Sequence, residues 1–206
     1  MSEFSPINNG NIASTVARQN QGGAVDLSTT VPAEDDNRAY VDQTEKMLLY
    51  KLDQARKNNP GSHDEIDILA RLSRFYIGSN LMKKSMDCLA DALISAKKLY
   101  GYDHPVVAEL LVESAFVAFK VGSFEDALEF ITPAITIYEN AYGKVSDQVA
   151  FAFHKLGRVY EAVNQLDNAE RYYQKAETTY QNTFNEDDSE IIVVRNDLAR
   201  VRAQMK

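Results

Sequence analysis

From residue 38 to the end of the chain the apolar residues recur at helical spacing, and nowhere do they alternate with period two. Ile66, Leu69, Leu72, Phe75 and Tyr76 stripe one helix, and Met82, Met86, Leu89, Leu93 and Ala96 stripe its successor. Leu110, Leu111, Ala115 and Ala118 are followed by Phe124, Leu128, Ile131 and Ile135; Phe153, Leu156 and Tyr160 by Leu166, Ala169, Tyr173 and Ala176. Returns at three and four residues place such side chains on one helix face, so the pattern predicts paired helices and no sheet. A helical hairpin cannot cover its own apolar faces. Stacking against the next one does, and stability becomes a sum of unit and interface contributions.

The punctuation between these stripes repeats every 42 residues. Tyr100-Gly101, Tyr142-Gly143 and Phe184-Asn185 each put an aromatic before a residue that tolerates the left-handed backbone closing a helix. Asn80, Gly122 and Asn164 form a second series, read as the tight turn inside each hairpin. Ser62, His104, Ser146 and Asp188 form a third, each opening a new stripe. Ser62 with Glu65 has capping-box spacing, and Pro105 stands at a first helical position, where a missing N–H costs nothing. The series predict first helices near 64–78, 106–120, 148–162 and 190–204, with an unpaired helix over 38–58 in front. The corresponding division is a polar leader over 1–36, disordered or ordered by a partner, a flanking helix over 37–61 and a repeat domain over 62–206. The repeats span 62–103, 104–145 and 146–187, with a final helix over 188–206.

Small residues recur at three register positions. They are Ser73, Ala115, Gly157 and Ala199 in the first helices; Ser85, Ala127 and Ala169, then Ala92, Ala134 and Ala176, in the second. This set resembles the tetratricopeptide repeat family, in which small side chains sit where paired helices approach closely. The 42-residue period, and the junction Tyr100-Gly101-Tyr102-Asp103-His104-Pro105, are similar to its kinesin-light-chain type. The resemblance covers residues 62–206 and implies an all-α, right-handed helical-hairpin solenoid of about three repeats plus flanking helices. It also places the first helix of each hairpin on a concave wall. In that register Arg74, Phe116, Arg158 and Arg200 face the groove, His154 and Phe151 lie beside them, and Phe119 lies one turn on.

Arginine grips carboxylates through two parallel bonds and aromatics supply anchoring area, so such a wall suits a protein or peptide segment with acidic and apolar residues. The competing reading is that the arginines pair internally with Asp67, Glu109 or Glu161. Two departures limit what the family implies. The carboxylate clamp of chaperone-binding tetratricopeptide domains has Asn where this chain has Arg or Phe. The paired Asn of kinesin-light-chain repeats is replaced by Ala70-Arg71, Val112-Glu113 and His154-Lys155, leaving only Asn196 before Asp197.

Composition narrows the function. The chain has 206 residues, 22 basic and 30 acidic, for a net charge of −8, whereas nucleic-acid binding needs a basic face. One Cys and three His give neither a disulfide framework nor a metal-ligand set, so no cofactor or metal is expected. No nucleophile–base pairing or phosphate loop appears, so the chain is expected not to be an enzyme. No apolar run is long enough for membrane insertion, and no secretory signal opens the chain, so a cytoplasmic protein is expected. Cys88 reads as a buried, inert thiol. Glu186-Asp187-Asp188 reads as acid at a helix start, and Pro133 as a residue that bends or interrupts its helix. The leader's Asp26, Leu27, Val31 and Glu34–Asp36 themselves fit the groove's chemistry. The reading is a non-catalytic adaptor or scaffold module; the alternative is a chaperone or assembly factor holding an unassembled or secreted client. Oligomeric state is not legible.

Overall fold

The computed structural model describes residues 34–183 and 188–206, with side chains from residue 43 onward. They form eight helices and, among the described residues, no strand. The order is α1 (Glu34–Asn58), α2 (His63–Gly78), α3 (Met82–Tyr100), α4 (Pro105–Lys120), α5 (Phe124–Tyr142), α6 (Asp147–Ala162), α7 (Leu166–Gln181) and α8 (Ser189–Gln204). The chain divides into two compact units, Met1–Tyr40 and Val41–Lys206. The first contributes only the opening of α1 to the described residues. The second is a solenoid of the hairpins α2–α3, α4–α5 and α6–α7, followed by α8.

The punctuation acts as its chemistry dictates. Asn80, Gly122 and Asn164 all adopt positive φ (58°, 81° and 59°). At each, a backbone N–H reaches five residues back: Leu81 to Tyr76, Ser123 to Ala118, Gln165 to Tyr160, at 2.8–2.9 Å. The preceding N–H bonds the carbonyl three residues back, completing the Schellman closure that satisfies the last carbonyls of a first helix. Ser62 and Ser146 accept from the N–H three residues on, and His104 Nδ1 from that of Val106, so α2, α6 and α4 start on side-chain caps. The returning half of the expected box at α2 goes one residue astray: Glu65 accepts from Gly61 N–H (2.6 Å) while also holding Arg56 of α1 (2.9 Å).

The small residues sit where helices cross. Ser73, Ser85, Ala92, Ala127, Ala134, Ala169 and Ala176 are all fully buried. In the first hairpin the two serines satisfy each other at 2.9 Å, which lets hydroxyls occupy a place given to methyls elsewhere. Ala199 is the exception and is exposed, because among the described residues no helix follows α8 to cover it.

Four expectations are corrected or fall outside view. α1 begins at Glu34, before the leader's expected end. α7 ends at Gln181, short of the Phe184-Asn185 stop. Asn182 Nδ2 and Thr183 Oγ1 donate to the carbonyls of Thr178 and Tyr180, competing for the bonds that would carry the helix on. Phe184–Asp187, and the leader's residues up to 33, lie outside the described residues. Pro133 does not interrupt α5, which runs unbroken through it. Its ring is on the exposed side, while Ile131, Ala134, Ile135, Ile137 and Tyr138 hold the opposite face in the core.

Candidate functional site: a cation–aromatic patch between α4 and α6

The seven residues marked by the sequence do not form one uniform wall. Arg74 of α2 is taken by α4: Nε donates to Glu113 Oε1 at 2.6 Å and Nη2 to Glu109 Oε1 at 2.9 Å. Burial works against its charge, but the two carboxylates outweigh that and hold the guanidinium cationic. Burial also raises the Glu113 carboxyl above its usual range despite Arg74, and Glu113 Oε2 is enclosed without a hydrogen bond.

Arg200 of α8 is taken by α6. Nε and Nη2 grip the two oxygens of Glu161 at 2.8 and 2.7 Å, and Nη1 reaches Asp197 at 2.7 Å. The hydrogen bonds from Arg200 hold the Glu161 carboxyl below its usual range. Tyr173 of α7 donates to the same carboxylate at 2.7 Å, so α6, α7 and α8 are knitted by one network. For Arg74 and Arg200, internal pairing with Glu109 and Glu161 is what the structure contains.

His154 is buried, not presented on the wall. Its Nε2 lies 2.7 Å from Asp197 Oδ2. Burial lowers its pKa, outweighing the Asp197 hydrogen bond, with Lys155 and Arg158 adding to the depression. A neutral ring beside an acceptor-only carboxylate carries its proton on Nε2. The sign follows: the unfolded chain binds this proton more readily than the folded one. The histidine's contribution is therefore full above about pH 6.5 and is lost as the pH falls through the lowered folded value, with a slope of at most about 1.4 kcal/mol per pH unit. Urea unfolding between pH 7.5 and 5 should show this slope, and His154→Gln should remove it. Glu113, raised by burial, acts with the opposite sign but is common to both proteins and cancels in the comparison.

The remaining four sequence-marked residues do gather. Phe116 and Phe119 of α4 and Arg158 of α6 line a cleft of about 20 Å³ with Lys155, over a floor of Ala115, Ile131 and Val159. Arg158 lies over the Phe119 ring at 5.3 Å, Lys155 over Phe151 at 4.6 Å and Lys120 over Phe116 at 5.5 Å. Among the described residues none of these three cations has a carboxylate within ion-pair distance. The Lys155 pKa is lowered by burial and by Arg158, with Asp197 alone opposing. Phe151 is 41% exposed, an aromatic face open to solvent beside a cation.

Lys120 and Lys155 were missed from sequence. For Arg158 the register does carry a signal: Arg200 pairs with the residue 39 positions before it, Glu161, and 39 before Arg158 stands Phe119. The same geometry thus meets a carboxylate in one repeat and an aromatic ring in the other. Elsewhere, Cys88 is half-buried and its thiol is pushed up to about 11 by burial, which keeps it protonated at neutral pH. Among the described residues no cluster of three metal-ligating side chains occurs, and no helix is long and apolar enough to cross a membrane.

Stacked hairpins with a patterned first-helix wall define a helical-repeat scaffold, a class whose members present extended surfaces to other proteins. Residues 106–182 match the tetratricopeptide repeat family. In fold they are similar to BtubC (BKLC) from P. vanneervenii, with TM-score 0.75 and 18% identity over 82% of this chain and 68% of that one. A putative kinesin light chain of Podosopora anserina gives TM-score 0.70 and 16% identity over 81% of this chain and 79% of that one. Among curated relatives, a clustered mitochondria protein homolog of Candida albicans is 23% identical over 118 residues, 57% of this chain and 9% of that protein. The transcription factor tau 131 kDa subunit of Saccharomyces cerevisiae is 27% identical over 144 residues, 70% of this chain and 12% of that protein. The chain therefore spans about a tenth of the length of the curated relatives it matches.

Proposed function

We propose that this chain is a non-catalytic protein-interaction module, an adaptor or scaffold subunit of a larger complex, that grips a partner segment along the wall formed by α4 and α6. The observation that carries the reading is the contrast along that wall. Arg74 and Arg200 at its flanks are neutralised by carboxylates of the chain itself, whereas Lys120, Lys155 and Arg158 between them lie over phenylalanine rings and lack ion pairs among the described residues. Three cations over aromatic faces attract an anionic segment, and the rings supply apolar contact. Neither Arg74 nor Arg200, nor the buried His154, is part of this binding surface. One relative is by name a subunit of a larger factor, which supports a subunit role. A lone thiol favours a reducing, cytoplasmic setting.

Affinity capture with quantitative mass spectrometry, comparing the chain with Arg158→Glu and with Arg71→Glu, tests this. Arg71 is an exposed charge on α2, paired with Asp67, and is not among the residues that line the cleft. Reversal at Arg158 should weaken the bound partner about tenfold or more, in line with charge reversal in a desolvated contact, with the melting temperature within a few degrees. Reversal at Arg71 should leave the partner bound. A partner held equally by all three proteins would move the interaction off this wall.

A further inference from the structure

The α4–α6 patch holds more positive charge than an aspartate or glutamate would neutralise, and its cleft is narrow. Burial and the nearby Arg158 guanidinium both disfavour the charge on Lys155, and both cations border the same cleft. The one carboxylate acting on Lys155, that of Asp197, is already committed to Arg200 and to His154. Lys120 adds a third cation at the exposed rim. A monoanion leaves most of this charge unmet. A phosphoryl group carries about −1.5 to −2 at neutral pH and three acceptor oxygens, so it can meet an arginine fork and a lysine together.

The apolar part of the site points the same way. The cleft over Phe116 and Phe119 is open on one side, with about 20 Å³ of space at its apolar floor. The floor takes a group the size of a water or a methyl, and the open side leaves room for a larger group above it. A short side chain that ends in a large anion fits: its stem lies over the rings and its oxygens reach the cations.

We infer that the cleft between Phe116, Phe119, Lys155 and Arg158 receives a phosphorylated serine or threonine of the partner segment. This rests on the docking reading above and assigns the chemistry of its central contact. It also makes partner binding switchable, because an unmodified hydroxyl offers the cations nothing to neutralise.

The test uses the full chain, isotope-labelled, titrated in an NMR experiment with three blocked single residues: N-acetyl, N-methylamide phosphothreonine, aspartate and threonine. The phosphothreonine compound should shift the resonances of Phe116, Lys155 and Arg158 and bind at least five-fold tighter than the aspartate compound. The threonine compound should not bind. Arg158→Gln should abolish the effect. Lys120→Gln, a change at an exposed side chain, should weaken phosphothreonine several-fold and by a larger factor than it weakens aspartate. Equal or tighter binding of aspartate at the same three residues would overturn the inference and leave the docking reading standing, with a carboxylate as the contact. No shift at these residues with any probe, or shifts spread over lysines elsewhere, would also overturn it; the docking reading is then judged separately by the Arg158→Glu capture experiment.

Discussion

Gly157→Ala is expected to destabilise the protein by about 1–2 kcal/mol, although alanine is the better helix former. In an open helix the substitution would gain about 1 kcal/mol. Here a Cβ at position 157 would stand 2.6 and 2.7 Å from Cδ1 and Cε1 of Tyr173. That ring cannot withdraw: Tyr173 is fully buried and its hydroxyl is fixed to Glu161 at 2.7 Å. Overpacking of this kind costs about 1–3 kcal/mol, and it outweighs the propensity gain. The register supplies a decisive control. The residues at these two positions are Ser73 and Leu89 in the first repeat, Ala115 and Ile131 in the second, and Gly157 and Tyr173 in the third. The first-helix residue is smallest where the second-helix residue is largest. Gly157→Ala combined with Tyr173→Ile recreates the second repeat's pair and should be more stable than the sum of the two single effects predicts, by about 1 kcal/mol or more. Thermal or urea unfolding of the four proteins reads this, and strict additivity would show that the two sites do not share a packing constraint.

Removing Asp197 should cost about 1–3 kcal/mol. Asp197 is the only hydrogen-bond partner of buried His154 Nε2 among the described residues, and it also anchors Arg200 Nη1. Arg200 is half-exposed and retains Glu161, so its loss is small. The histidine cannot turn to water, and a buried donor left unmet carries its full desolvation cost. Asp197→Ala should therefore unfold at lower urea concentration. Asp197→Asn should lose less, because a carbonyl oxygen still accepts from His154, but not nothing, because its amide then faces the Arg200 guanidinium. If Asp197→Ala matches the parent protein in urea, the Asp197 contacts with His154 and Arg200 contribute nothing to stability.

The repeat architecture was legible because its determinants are local. A positive-φ residue at 80, 122 and 164 and a cap at 62, 104 and 146 act within a turn or two of themselves, and the small residues recur in step with them, so a 42-residue spacing reveals all three. Where local chemistry was read incompletely, helix ends moved. Asn182 and Thr183 pulled the α7 stop forward, and tertiary support carried α5 through Pro133. The groove was legible only as a set of positions. The same arginine register yields a carboxylate-bound Arg74, a ring-stacked Arg158 and a doubly held Arg200, because each guanidinium's surroundings come from a neighbouring hairpin 35–39 residues away.

The period, the helices and the turns follow from residues near one another in the chain, since backbone conformation and capping are local, and the small-residue seams share their spacing. Stacking alone set Arg74 and Arg200 in internal ion pairs, buried His154 on Asp197, and left Lys120, Lys155 and Arg158 over phenylalanine rings. Charge neutralisation and burial are set by which side chains stacking brings into contact, and stacking joins residues whose separation in sequence carries no local signal.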